Sequence, residues 1–290
     1  MKRKHCLKEL TIKDNFMFGA VMMDENNCKG FLERVLEIPI DHVEVSREKS
    51  IVYHPEYKGV RLDVYAKDAE RKHYNIEMQV KKKAALGKRS RYYQSQMDME
   101  ILLSGEDYTE IPDTYVIFLC DFDPFGEEKY RYTFAMKCQE SERTKLEDGR
   151  TILFLNAHGK NESEVPKELV TFLKYVKADL AGSEEEFDDP YVEQLQKFIR
   201  KVKESREMEE RFMIFEEMLK EERAEGREEG LAEGRKEGYV NILVNILKEI
   251  GKIPPALQEK IASEKEEEVL IAWAKLAAKS ASIEEFMQKM

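Results

Sequence analysis

The continuous apolar run Thr114–Cys120 constrains the fold of this chain more than any other segment. A strand with one face in water alternates polar and apolar residues, whereas an uninterrupted apolar run of this length is typical of a strand buried on both faces. A sheet that contains such a strand is covered by helices on both sides. The sequence therefore predicts an α/β fold in which this segment is a central strand.

The segments around this run extend the prediction to a mixed sheet flanked by helices. Two helices with apolar periodicity are expected before Pro39, and Asp14 is placed to cap the first of them. A helix over residues 85–104, ended by Gly105, is expected before the buried strand. The other segments predicted as strands are 43–52, 60–65, 74–80, 130–137 and 150–155.

The charged fraction of 37% exceeds the roughly one quarter that is usual in globular domains, and it indicates long exposed helices in addition to a core. Helical periodicity begins near residue 165 and continues from there. We therefore expect three parts. These are an α/β domain at 1–160, a helical segment packed on it at 161–203, and a charged α-helical extension at 204–290.

The extension contains a Glu-Gly repeat whose glycines recur every four residues, at Gly226, Gly230, Gly234 and Gly238. Each glycine costs about 1 kcal/mol relative to alanine inside a helix, so four of them need a reason. A soft charged linker or loose helix is favoured over a close seam between helices of a homo-oligomer, because close packing of small residues matters most in membranes. Residues 256–290 are expected to form a helical hairpin with Trp273 in its core.

Cysteine usage and hydropathy indicate the compartment. The four cysteines show no CxxC pairing, which argues against a disulfide or zinc framework and fits reduced thiols in the cytoplasm. We expect neither a secretory signal nor a membrane partner, because no apolar run is long enough for either. Motifs of serine hydrolases, zinc proteases and P-loop enzymes are also missing from the sequence.

Two acidic residues on neighbouring predicted strands form the first candidate site. If these strands pair through the polar turn at 67–72, Asp63 faces Glu77. Alternate residues of a strand share a face, so Glu77, Gln79 and Lys81 are expected to point the same way. Converging carboxylates suit Mg²⁺ or Mn²⁺ beside a phosphate. The alternative is a solvated hairpin face whose charges have no ligand.

A basic segment follows this pair. Residues 81–93 carry six bases and no acid, although the whole chain has a net charge of −11. Lys88, Arg89 and Arg91 lie on the predicted helix and could bind DNA phosphates through salt-dependent contacts. The alternative is an ordinary solvated helix face. The position of the bases next to the candidate metal site favours DNA binding.

An ordered set of short motifs resembles the recombination-promoting nuclease / putative transposase family, a branch of the PD-(D/E)XK nuclease superfamily. The resemblance covers roughly residues 7–180. It is carried by the segments Asp14–Phe16, Arg61–Val64, Ile76–Gln79, Arg89–Tyr93, Gly105–Tyr108, Cys120–Phe125, Asp148–Gly149 and Phe154–Asn156, with the Glu-Gly tail in addition.

The resemblance implies a restriction-endonuclease-like core and a metal-dependent DNA endonuclease linked to recombination or mobile elements. Asp63 and Glu77 would be catalytic metal ligands, and Gln79 stands where the wider superfamily has lysine. Glutamine can hydrogen-bond the attacking water but adds no charge, so Lys81 is a candidate substitute cation, or simply a surface lysine. Asp14 would be a carboxylate outside the direct ligands of the metal or, as the favoured alternative, the N-cap of the first helix.

A second class of function stays open on the sequence. The glutamine at position 79 and the acidic extension fit a catalytically weak DNA-binding or assembly protein that keeps a nuclease-like fold. Such a protein would work through its helical tail, which could also form a homo-oligomer. Binding of Mg²⁺ or Mn²⁺ separates this alternative from the endonuclease.

Overall fold

The computed structural model describes residues 6–51, 60–264 and 266–290. The chain divides into two compact units, Met1–Phe212 and Met213–Met290, which are described separately below. The helical segment expected at 161–203 lies within the first unit. The division into three parts at residues 160 and 203 stays a prediction.

A mixed six-stranded sheet forms the centre of the first unit, with strand order β1-β2-β3-β4-β6-β5. Strands β1, β2 and β3 are antiparallel neighbours, β3, β4 and β6 run parallel, and β5 pairs antiparallel with β6. The predicted α/β fold with a mixed sheet is confirmed. The strands are β1 (Val43–Ile51), β2 (Val60–Asp68), β3 (His73–Gln79), β4 (Thr114–Cys120), β5 (Arg131–Phe134) and β6 (Arg150–Asn156).

The apolar run forms β4 with the bounds that the sequence predicts. Its Ile117 and Phe118 point to opposite faces of the sheet, and both are fully buried. The Phe118 ring stacks on Phe154 of β6 with 5.0 Å between centroids. The expectation that β1 extends to Val52 cannot be compared, because that residue lies outside the described part of the chain.

Five α-helices pack in the described part of the first unit. They are α1 (Asn15–Met22), α2 (Glu25–Leu36), α3 (Leu86–Ile101), α4 (Lys167–Lys177) and α5 (Pro190–Glu204). The predicted end of the third helix at Gly105 is wrong. Leu102 already has extended backbone, and Gly105, with φ of 94°, belongs to the following turn.

Helices α4 and α5 are held to the amino-terminal helices. On α4 the apolar stripe Leu169, Phe172, Leu173 and Val176 is fully buried. The carboxylate of Asp189 caps α5 by accepting from the backbone N–H groups of Tyr191 and Val192. The same carboxylate pairs with Arg34 of α2 at 3.1 Å. Asp189 therefore joins the start of α5 to α2.

The second unit is helical and has its own apolar core. The 45-residue helix α6 (Arg206–Ile250) enters it and is followed by α7 (Pro255–Ser263), α8 (Glu267–Ala277) and α9 (Ile283–Lys289). Three helices therefore follow α6 in place of the expected hairpin. Trp273 is partly buried against the core, with the Lys260 ammonium 5.6 Å from its ring centroid. The fully buried core residues are Leu243, Leu247, Ile261, Leu270, Ala277 and Phe286.

The Glu-Gly repeat lies inside α6. Apart from the backbone of α6 itself, no described atom lies within 4 Å of where a Cβ would be on Gly226, Gly230, Gly234 or Gly238. The glycines therefore make no close contact with another described helix, and the repeat is helical rather than an irregular linker. None of the described helices is both long and apolar enough to span a bilayer.

Candidate active site

The hairpin of β2 and β3 brings Asp63 and Glu77 together. Val64 is opposite Ile76, and this register places Asp63 across from Glu77 on the same face. The backbone N–H of Asp63 donates to Glu77 Oε1 at 3.3 Å, and the N–H of Met78 donates to Asp63 Oδ2 at 3.2 Å. Each carboxylate is therefore anchored to the backbone of the opposing strand.

Both acidic residues lie close to the core, but to different depths. Glu77 is fully buried, whereas Asp63 is half-buried at the edge of the site. Burial raises the pKa of Glu77, and the nearby charge of Asp63 raises it further, while the Arg89 guanidinium acts in the opposite direction. The site therefore contains two carboxyl groups close together and one guanidinium that is bonded to the more buried of them.

Arg89 on α3 lies in the middle of this cluster. Its Nη2 donates to Glu77 Oε2 at 2.6 Å, and its Nη1 donates to Gln79 Oε1 at 3.1 Å. Its Nε donates to the Tyr93 hydroxyl at 2.6 Å, one helical turn further along. Arg89 was predicted to bind DNA, and that role stays a prediction. The structure shows that it also connects two of the predicted catalytic residues.

The aromatic surroundings of Arg89 hold its side chain in place. The guanidinium carbon lies 5.0 Å from the Tyr93 ring centroid and 5.6 Å from that of Phe118 on β4. These rings belong to the apolar core between α3 and the sheet. Helix α3 begins after Ala85, whose φ of 59° turns the chain back over the sheet. This turn places Arg89 above the polar face of β3.

Gln79 is buried at the last position of β3. Its Oε1 accepts from Arg89, and its Nε2 donates to the carbonyl of Met78 at 3.0 Å. The last sheet bond of this strand runs from the Asp121 N–H to the Gln79 carbonyl at 2.9 Å. The expectation that Lys81 continues the same strand face is therefore wrong. Lys81 is exposed in the bend that follows.

Asp14 lies at the N-cap position of α1 but does not cap the helix. Its Oδ2 turns back and accepts from the backbone N–H of Thr11 at 2.6 Å and from the Thr11 hydroxyl at 3.2 Å. The favoured capping prediction is therefore wrong, since the carboxylate stabilises the turn before the helix. The adjacent Lys13 pairs with Asp121, just after β4, at 3.1 Å.

The basic segment surrounds the carboxyl end of β3. Lys88 and Arg91 on α3 are exposed, as are the lysines of the preceding loop. Arg89 differs from them, since 26% of its side chain is exposed and its nitrogens bond to the site. The structure thus separates one arginine that points into the site from a set of exposed cations in the same segment. Those cations are Lys81, Lys82, Lys83, Lys88 and Arg91.

Asn75 and Tyr93 belong to the site although sequence reasoning missed them. Asn75 shares the face of Glu77 two residues earlier on β3 and is fully buried. Neither the oxygen nor the nitrogen of its amide has a hydrogen-bond partner of normal geometry among the described residues. The amide nevertheless favours the charged form of the Glu77 carboxyl, which lowers the pKa of Glu77. The alternation that links Glu77 to Gln79 could have identified Asn75. Tyr93 could have been found from its four-residue spacing to Arg89.

The two carboxylates fit a hard divalent cation. Carboxylate oxygens are the ligands that Mg²⁺ and Mn²⁺ prefer, and Mg²⁺ usually keeps several waters or binds phosphate oxygens as well. No group of three or more His, Cys, Asp or Glu that could hold a metal occurs in the described ranges 6–51, 60–264 and 266–290. A metal held by Asp63 and Glu77 would therefore take its remaining ligands from water, backbone or substrate.

Comparison with known proteins agrees with the geometry. A family model described as PD-(D/E)XK nuclease family transposase matches residues 14–227, which is more than half of the chain. The matched region includes Asp14, Asp63, Glu77, Gln79 and the basic segment. It confirms the predicted restriction-endonuclease-like core. No curated protein and no solved structure matches the chain.

The raised pKa of Glu77 predicts a pH-dependent stability. In metal-free protein the folded state keeps the Glu77 proton above pH 4.5, where the unfolded chain has lost it. The contribution of Glu77 to the free energy of unfolding is therefore fully present below pH 4.5 and is lost as the pH rises through the pKa of Glu77 in the folded state. The loss is up to about 1.4 kcal/mol per pH unit across that window. Thermal unfolding in EDTA from pH 5 to 8 should show a steeper decline for wild type than for Glu77→Gln.

The matched control for this measurement is Glu70→Gln, in the exposed turn of the same hairpin. It should keep the wild-type slope. Equal slopes for wild type and Glu77→Gln would contradict the assignment of a raised pKa to Glu77.

Proposed function

Because the chain belongs to the PD-(D/E)XK nuclease family transposases, we propose that it is a Mg²⁺- or Mn²⁺-dependent DNA endonuclease acting in recombination or on mobile elements. The observation that carries this proposal is the Asp63–Glu77 carboxylate pair, held across β2 and β3 by reciprocal backbone hydrogen bonds. The basic segment next to it supplies the complementary charge for a nucleic acid.

In this proposal Asp63 and Glu77 hold the metal, which would lower the pKa of a water and neutralise charge on the scissile phosphate. The two acids differ in burial, and this difference suits them to different roles in holding the metal. Glu77 is fixed on both oxygens by hydrogen bonds, whereas half-buried Asp63 faces the side from which substrate arrives. Their mutual repulsion favours a cation at this position over an empty one.

Gln79 and Arg89 together replace the lysine that is usual in the wider superfamily. The Gln79 amide can hydrogen-bond the attacking water but carries no charge. Arg89, bonded to the same amide, supplies a positive charge 3.1 Å away. Exposed Lys81 and the Asp14 carboxylate are further candidates for catalytic roles. Lys81 would reach the substrate from the loop, and Asp14 would act as an outer carboxylate.

The exposed cations beside the site are proposed to hold the DNA backbone. Lys88 and Arg91 project from the first turns of α3, close to Arg89 and therefore to the carboxylate pair. Phosphate contacts of this kind give affinity without sequence preference and place the scissile bond at the metal. The acidity of the whole chain does not oppose this, because residues 204–238 carry a net charge of −6.

Plasmid nicking tests the proposal. Wild-type protein should nick supercoiled DNA with Mg²⁺ or Mn²⁺ and lose all cutting in EDTA. Asp63→Asn and Glu77→Gln keep the shape of the side chains but remove a ligand charge, and each should reduce cutting by about 100-fold or more. Glu70→Gln in the turn of the same hairpin should cut like wild type.

The nicking result also decides between the two classes of function. Wild-type protein that is folded and retains DNA but does not cut with either metal would contradict the endonuclease. That result would favour the DNA-binding or assembly protein. Normal cutting by Asp63→Asn would show that the carboxylate pair is not the catalytic site.

The salt dependence of DNA binding tests the basic segment. Each phosphate contact that is lost should reduce the slope of log K against log salt by about 0.9. We expect this change for Lys88→Ala and for Arg91→Ala, measured by fluorescence anisotropy on a duplex in EDTA. Arg71→Ala is the matched control, because Arg71 is exposed at the opposite end of the hairpin. Unchanged slopes in both α3 variants would contradict the DNA-binding role.

A further inference from the structure

The three guanidinium nitrogens of Arg89 are all hydrogen-bonded within the site. Glu77 and Gln79 accept from the two terminal nitrogens, and the Tyr93 hydroxyl accepts from Nε. Because the planar guanidinium presents its donors in a fixed fork, three partners on three sides define its position closely. Arg89 is therefore a specifically placed cation, unlike the solvated bases beside it.

In this position Arg89 is bonded to the carboxylate of Glu77, which is one of the two proposed metal ligands. Glu77 Oε1 accepts from the Asp63 N–H, and Glu77 Oε2 accepts from Arg89 at 2.6 Å. A charge-assisted bond of this length to a buried carboxylate is strong. Any metal that takes Oε2 has to compete with the arginine for it.

Charge adds to this steric competition. Arg89 places one positive charge next to Glu77, and its departure removes that charge from the site. A divalent cation beside the guanidinium is repelled by it, and at this depth in the protein that repulsion is screened much less than in water. The arginine and the metal are thus expected to exclude each other at Glu77.

Arg89 has a route by which it can leave. It lies in the first turns of α3, at the edge of the core, and 26% of its side chain is exposed. A rotation of the guanidinium that keeps the hydrogen bond from Nε to the Tyr93 hydroxyl would take Nη2 away from Glu77.

From these contacts we infer that Arg89 is hydrogen-bonded to Glu77 in the metal-free protein and is displaced from it when the metal binds. The inference rests on the proposed function, since it takes Asp63 and Glu77 as the metal ligands. Arg89 thereby keeps the buried carboxylate paired until a metal arrives.

Manganese affinity tests this competition without any activity measurement. Free Mn²⁺ is followed by electron paramagnetic resonance during titration of wild type, Arg89→Gln and Asp63→Asn at pH 8. Arg89→Gln keeps polar contacts but removes the charge, and it should lower the Kd for Mn²⁺ by roughly five- to tenfold. Arg71→Gln removes an exposed charge from the turn between β2 and β3 and should change the Kd by less than about twofold.

A second measurement uses the wild-type chain and does not depend on the folding of a variant. Protein labelled with ¹⁵N-arginine is titrated with Mg²⁺, and the Arg89 side-chain signal is assigned by its loss in Arg89→Gln or Arg89→Lys. Displacement predicts that this signal shifts as the site fills. A signal that stays unchanged at saturating Mg²⁺ would overturn the inference.

The outcomes separate failure of this inference from failure of the proposed function. Tighter Mn²⁺ binding by Arg89→Gln, with binding lost in Asp63→Asn, supports both. Binding by wild type that is equal or weaker in Arg89→Gln overturns the inference and leaves the metal site intact. No binding by wild type or by Arg89→Gln overturns the metal-dependent function and the inference together. Binding by Arg89→Gln alone supports the inference most strongly.

Discussion

The pairing register of β2 with β3 positions every part of the candidate active site. Val64 opposite Ile76 places Asp63 against Glu77, and a slip of one residue would send the two carboxylates to opposite faces of the sheet. The register is set by apolar residues, since Val64, Ile76 and Met78 alternate with the site residues and are buried on the other face. Parallel pairing of β3 with β4 then buries Glu77 next to Phe118. Core packing thus brings two like charges together.

Because Glu77 is buried, its carboxylate needs a positively charged partner, and Arg89 of α3 is that partner. An unpaired carboxylate in the interior is strongly destabilising, and removing one partner of a buried pair typically costs about 3–5 kcal/mol. Arg89 supplies that partner, and Tyr93 and Phe118 hold it there. Asp63, the second acid of the site, is held by the Met78 N–H. The buried acid of the site is therefore already paired in the absence of metal.

The sequence predicts the parts of the structure that depend on local pattern. The apolar run gave β4 with correct bounds, and alternation placed Glu77 and Gln79 on one face. The errors fall where tertiary contacts decide. β3 ends where the Asp121 N–H bonds to the Gln79 carbonyl, so Lys81 lies in the bend that follows. The Asp14 carboxylate bonds to Thr11 instead of capping α1. The Arg89–Glu77 pair joins a helix to a strand, so no periodicity within either element predicts it.

The most direct test of the site is the position of a bound metal in a crystal of the full chain soaked with Mn²⁺. An anomalous difference map measured at the manganese edge should show a peak in contact with the carboxylates of both Asp63 and Glu77. Waters should complete its coordination. A map in which both side chains are ordered, but in which manganese binds elsewhere or not at all, would contradict the assignment of this carboxylate pair as the metal site.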